Sequence, residues 1–122
     1  IKNKLVDFIS MDIKTNLENY HLVIPEKFDT ANIVESTRIL MDKAPAYEFR
    51  TTCTRPFVSK KIMDDIGKMI SGAPKYILQK CSRKVSVLDP DFLSTDKNFF
   101  SDKEMIELQN TINKYVTASI IR

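Results

Sequence analysis

Glycine is scarce here, with two residues in 122. So few glycines cannot build the loops that cradle phosphates, which excludes dinucleotide-binding and P-loop folds at the outset. Histidine occurs once, at His21, and cysteine twice, at Cys53 and Cys81. These residues make no metal-ligand spacing and no disulfide framework, so a reducing cytoplasm is the default expectation. No apolar run approaches the ~20 residues of a membrane span, and no signal-peptide pattern opens the chain. Charge of one sign is lacking too. Nineteen basic and sixteen acidic residues are scattered to a net charge of +3, without the basic stripe that nucleic-acid binders carry. A content of 43% hydrophobic and 29% charged residues marks an ordinary globular domain, or part of one. The chain opens on Ile1, not Met, and runs straight into a core strand, as an excerpt of a longer protein would.

What is present is alternation. Leu5 to Lys14 is a nearly continuous apolar, β-branched and aromatic run with charges at its far end, and it predicts a strand buried on both faces. Thr15 to Phe28 is polar and suits a loop with a single helical turn. Asp29 or Thr30 can cap a helix carrying Ile33, Val34, Thr37, Leu40 and Met41, which ends near Ala44 because Pro45 follows. Ala46 to Thr54 reads as a second strand, stopped by Pro56. Ser59 caps a second helix with Ile62, Met63, Ile66, Met69 and Ile70 on one stripe, closed by Ser71-Gly72. Lys75 to Cys81 is a third strand, and a long connection, Ser82 to Phe100, carries Leu88-Asp89-Pro90-Asp91-Phe92. Ser101-Asp102-Lys103-Glu104 is a capping box for a third helix with Met105, Leu108, Ile112 and Tyr115 on its face. Ala118 to Ile121 is the last strand. The order β-α-β-α-β-α-β predicts an α/β fold with a parallel sheet and right-handed crossovers, about half of a (β/α) barrel. Such a half-barrel leaves one strand edge and a concave face uncovered, so it belongs to a larger barrel or pairs with another chain or with itself.

Three sets of residues could carry chemistry. Asp12 and Lys14 share a strand face at a carboxyl end, where α/β proteins hold ligands. They could clamp a zwitterion or a ribose, or form only a local ion pair. Glu48, Arg50 and Thr52 share a face of the second strand. Arg50 must have partners because it keeps its charge, so it either pairs with Glu48 or grips a ligand's carboxylate or phosphate. Gln79 and Cys81 follow Ile77 on the third strand and could look into the same hollow. Cys81, with no histidine beside it, reads as an ordinary thiol, and Cys53 should pack against a helix on the face opposite Arg50.

The runs Val6-Asp7-Phe8-Ile9-Ser10-Met11-Asp12-Ile13-Lys14, Tyr47-Glu48-Phe49-Arg50-Thr51-Thr52 and Tyr76-Ile77-Leu78-Gln79, with the terminal Ile120-Ile121-Arg122, resemble the C-terminal half of radical S-adenosylmethionine activating enzymes. The likeness is to activating proteins of anaerobic ribonucleoside-triphosphate reductase and of pyruvate formate-lyase. It implies a partial (β/α)6 barrel, cleavage of S-adenosylmethionine by a 4Fe-4S cluster, and a glycyl-radical enzyme as protein substrate. An electron donor such as flavodoxin or ferredoxin follows from the same likeness. It also implies cofactor contacts from Asp12, Ile13 and Lys14 and from Arg50, with Gln79 and Cys81 near the position where some members carry a histidine. The three-cysteine cluster loop is absent from these 122 residues, so the chain by itself is expected to be inactive. A non-catalytic α/β module that pairs with another chain is the alternative. A third reading is an unrelated α/β enzyme with Asp12 and Lys14 in acid–base roles.

Overall fold

The structure, a computed structural model, describes residues 1, 3–24, 27–81 and 98–122. Pro25 and most of the long third connection, including Leu88 to Phe92, lie outside the described residues. Among the described residues, four strands alternate with three α-helices: β1 (Ile9–Asp12), α1 (Ala31–Lys43), β2 (Tyr47–Cys53), α2 (Lys60–Met69), β3 (Lys75–Lys80), α3 (Asp102–Ile112) and β4 (Ala118–Ile121). A 3-10 helix, Leu17–Leu22, follows β1. The strands form one parallel sheet in the order β1-β2-β3-β4. The α/β class and the predicted alternation therefore hold. The three described helices pack their apolar stripes in one cluster with the same face of the sheet, the arrangement that right-handed crossovers between parallel strands produce.

The helix termini follow the local chemistry. Ser59 Oγ accepts from the Ile62 N–H at 3.1 Å and Asp29 Oδ1 from the Ala31 N–H at 2.9 Å, while Ser101 and Glu104 close a full capping box on α3. Gly72, at φ +96°, supplies the left-handed residue after α2, and its N–H donates to the Tyr115 carbonyl at 2.9 Å. Gly67 serves a different end. A Cβ there would stand 2.2 Å from the Tyr115 ring, so its lack of a side chain lets the segment after α3 lie against α2.

The core is one cluster. Odd positions of β1 and β2 (Ile9, Met11, Tyr47, Phe49, Cys53) join Tyr76, Leu78 and Ile121 with Ile33, Leu40, Met63, Ile66, Met105, Leu108 and Ile112 from the helices. Ile77 is fully buried but is not in that cluster, because it points to the other side of the sheet with Arg50, its register partner.

Two expectations fail at the first strand. The run from Leu5 to Phe8 is not strand: Leu5 is 82% and Phe8 51% exposed. Within β1 the burial alternates, so Ser10 and Asp12 are exposed and Ile9 and Met11 half-buried. The reason is position. Ile9 already pairs with Tyr47, the first residue of β2, so Leu5 to Phe8 have no strand residue beside them, and the core among the described residues covers only the Ile9 and Met11 face of β1.

Candidate functional site

Parallel pairing without offset brings the polar positions of three strands to one face. Ser10 lies opposite Glu48, Asp12 opposite Arg50, Arg50 opposite Ile77 and Thr52 opposite Gln79. Arg50 sends Nε (3.0 Å) and Nη2 (2.9 Å) to Asp12 Oδ1. Lys14 Nζ lies 3.1 Å from Asp12 Oδ2. Asp12, Lys14 and Arg50 thus stand together, with Asp12 and Lys14 at the carboxyl end of β1 and Arg50 at the middle of β2. Their side chains remain 40%, 52% and 32% exposed, so a ligand can reach all three. Two cations share one carboxylate, which leaves a surplus positive charge suited to an anionic or zwitterionic group. Burial pushes the Asp12 carboxyl up, but the hydrogen bonds and charges of Lys14 and Arg50 outweigh it and hold the group below its ordinary range. A groove of about 520 Å³ runs along this edge, lined by Ser10, Asp12, Arg50 and Ile39 among others.

Arg50 does not pair with Glu48, the partner its own strand offered. Glu48 is buried, accepts from Ser10 Oγ at 2.9 Å and lies 3.4 Å from Lys75 Nζ. Residues two apart on one strand are ~7 Å apart, whereas register neighbours on adjacent strands are ~4.8 Å apart, so the cross-strand partners win. Gln79 borders the same face, where its Oε1 accepts from Thr52 Oγ1 at 3.3 Å. The Ile13 side chain is fully buried in the core.

Cys81 departs from the expected placement. It stands one residue beyond β3 and lines a separate cavity of about 320 Å³ with Cys53, Lys80, Phe99 and Phe100. Once the strand ends, the alternation of faces no longer sets its direction. Burial raises both thiols, Cys53 to about 12. Cys53 packs in the core on the side opposite Arg50, as expected.

Several contributors escape a reading of the sequence. Lys75 reaches Glu48 across strands. Tyr20 and Thr51 send hydroxyls to the backbone beside Asp12 and Lys14. No periodicity marks them, since each acts through one contact set by the fold. Among the described residues no group of three metal-ligating side chains occurs, and no helix is long and apolar enough to cross a membrane.

No known family's sequence pattern matches the chain, and no solved structure matches it. A protein of Methanocaldococcus jannaschii, provisionally named a glycyl-radical enzyme activating enzyme, is 25% identical over 126 aligned positions. That alignment takes in all of this chain and 51% of the relative. The chain is therefore distantly similar, along its whole length, to about half of a protein so named.

Proposed function

We propose that this chain is the S-adenosylmethionine-side wall of a radical S-adenosylmethionine activating enzyme whose protein substrate is a glycyl-radical enzyme. The observation that carries the reading is the partly exposed, ion-paired cluster of Asp12, Lys14 and Arg50 on adjacent parallel strands, with Asp12 and Arg50 on the wall of one groove. The distant similarity to a protein named for such activation supports the reaction class. Asp12 and Lys14 would face the adenosine and methionyl parts, and Arg50 the carboxylate or ribose, with Gln79 bordering the same face. Ile13 spaces the two charged residues from inside the core. Cys81 lines its own cavity, apart from the groove that Asp12 and Arg50 line.

When bound, S-adenosylmethionine supplies a sulfonium whose carbon–sulfur bond breaks on one-electron reduction. The residues of this chain would orient it and neutralise its carboxylate. A 4Fe-4S cluster does not fit the chain by itself. Three converging thiolates are required, and the sequence holds two cysteines. Cluster ligands would have to come from a further segment, and the 122 residues alone are expected to cleave nothing.

The complete gene product, reconstituted anaerobically with iron and sulfide, tests this by titration calorimetry with S-adenosylmethionine. Asp12→Asn and Arg50→Lys should each weaken binding about tenfold or more, while Lys60→Ala should leave it unchanged. Site variants that bind as the wild type does would defeat the proposal. The second reading, an assembly module, draws on the edge of β1 that no strand pairs among the described residues, and on the exposed Leu5, Val6 and Phe8 beside it. It requires a stable complex by sedimentation and no S-adenosylmethionine binding.

A further inference from the structure

Asp12 and Lys14 flank the point where β1 ends. A loose backbone there would let both charges wander. The Ile13 N–H donates to the Arg50 carbonyl at 2.8 Å, so Ile13 is still tied to β2. Backbone groups alternate sides along a strand, so the next N–H, that of Lys14, turns away from β2, to the side where no strand lies among the described residues. The Tyr20 hydroxyl accepts it at 2.8 Å. On the other side, Thr51 Oγ1 donates to the Ile13 carbonyl at 2.7 Å and accepts in turn from the Tyr76 hydroxyl. Both polar groups of the Ile13–Lys14 peptide are thus gripped by side-chain hydroxyls. Tyr20 is 4%, Thr51 1% and Tyr76 0% exposed, so water does not compete for these bonds.

Tyr20 is itself firmly delivered. It sits on the 3-10 helix capped by Asn16, whose Nδ2 donates to Asp65 Oδ2 at 2.9 Å. The cap is therefore tied to α2. We infer that Tyr20 and Thr51 are positioning residues: their hydroxyls clamp the Ile13–Lys14 peptide and so hold the Lys14 ammonium against Asp12. The part this plays in ligand binding rests on the reading of the hollow given above, whereas the clamp itself stands apart from it.

The Asp12 carboxyl reports the geometry directly, because Lys14 helps keep its titration low. Carboxyl-detected NMR titration of the 122-residue chain should show the Asp12 midpoint raised in Tyr20→Phe and Thr51→Val and unchanged in Thr51→Ser. Arg50 still holds Asp12 in these variants, so the rise should be partial. Lys14→Met should raise the midpoint too, and adding Tyr20→Phe to it should add nothing more. A wild-type midpoint in both Tyr20→Phe and Thr51→Val overturns the clamp, as does a further full shift on the Lys14→Met background. If Thr51→Val fails to fold, Tyr20→Phe and its double variant decide. In the complete protein, Tyr20→Phe should weaken S-adenosylmethionine binding about fivefold, the scale of one ordinary hydrogen bond. Unchanged affinity beside a shifted Asp12 overturns the part in binding. A wild-type protein that binds no S-adenosylmethionine defeats the reading of the hollow, while the Asp12 titration still decides the clamp.

Discussion

The two faces of the sheet are made of the same strands, yet they are built on different principles. On the helix side, Phe49, Tyr76 and Leu78 are fully buried among Met63, Ile66, Met105 and Ile112, and apolar packing holds the layers. On the other side, Ser10, Asp12, Glu48, Arg50, Lys75 and Gln79 pair across strands through charge and hydrogen bonds. The first face carries the stability because its contacts are many and dry. On the second, the Asp12, Lys14 and Arg50 group carries little, because exposed ion pairs in water are weak, and it is correspondingly free to exchange partners with a ligand.

Changes chosen to break this contrast should fall in order. Phe49→Ala, on the packed face, should cost about 3–5 kcal/mol in denaturant unfolding. A cost under ~1 kcal/mol would mean that this face is not the core. Gly67→Ala should cost about 1–3 kcal/mol by overpacking, since the added methyl would meet the Tyr115 ring. Tyr115→Ser in the same chain should recover part of that loss. Asp12→Asn, on the polar face, should cost less than ~1 kcal/mol at neutral pH. It should also alter the acid limb. The folded-state pKa of Asp12 lies below the ordinary 3.8, so its contribution is complete above that value and is lost as pH falls through the lowered one. Asn at this position should flatten the stability curve in that window and lower it by a constant amount, under ~1 kcal/mol, from pH 5 to 7. A large loss at neutral pH would show that the polar face is structural.

The helix starts were legible because each rests on two to four neighbouring residues: Ser59 reaches Ile62, and Ser101 and Glu104 reach each other. The strands β2 and β4 were legible from their branched and aromatic residues. Asp12, Lys14 and Arg50 were legible as candidates from parity, since residues two apart share a strand face. Less was legible where burial depends on neighbours far along the chain. Leu5 and Phe8 have the composition of a buried strand, but the sheet ends there. Glu48 looked like the partner of Arg50 until register paired it with Ser10. Tyr20 and Thr51 carried no pattern at all, because their contacts are single hydroxyls meeting one peptide.

Local chemistry in the sequence determined the α/β alternation, the caps and the face on which the charges of each strand lie. These follow from the two periods of backbone geometry and from hydrogen bonds a few residues long. Only the tertiary structure decided which charges meet. Parallel register placed Asp12 beside Arg50 and gave Glu48 to Lys75. Pairing partners separated by 38 residues are selected by the packing of whole elements, and no short-range rule contains that information.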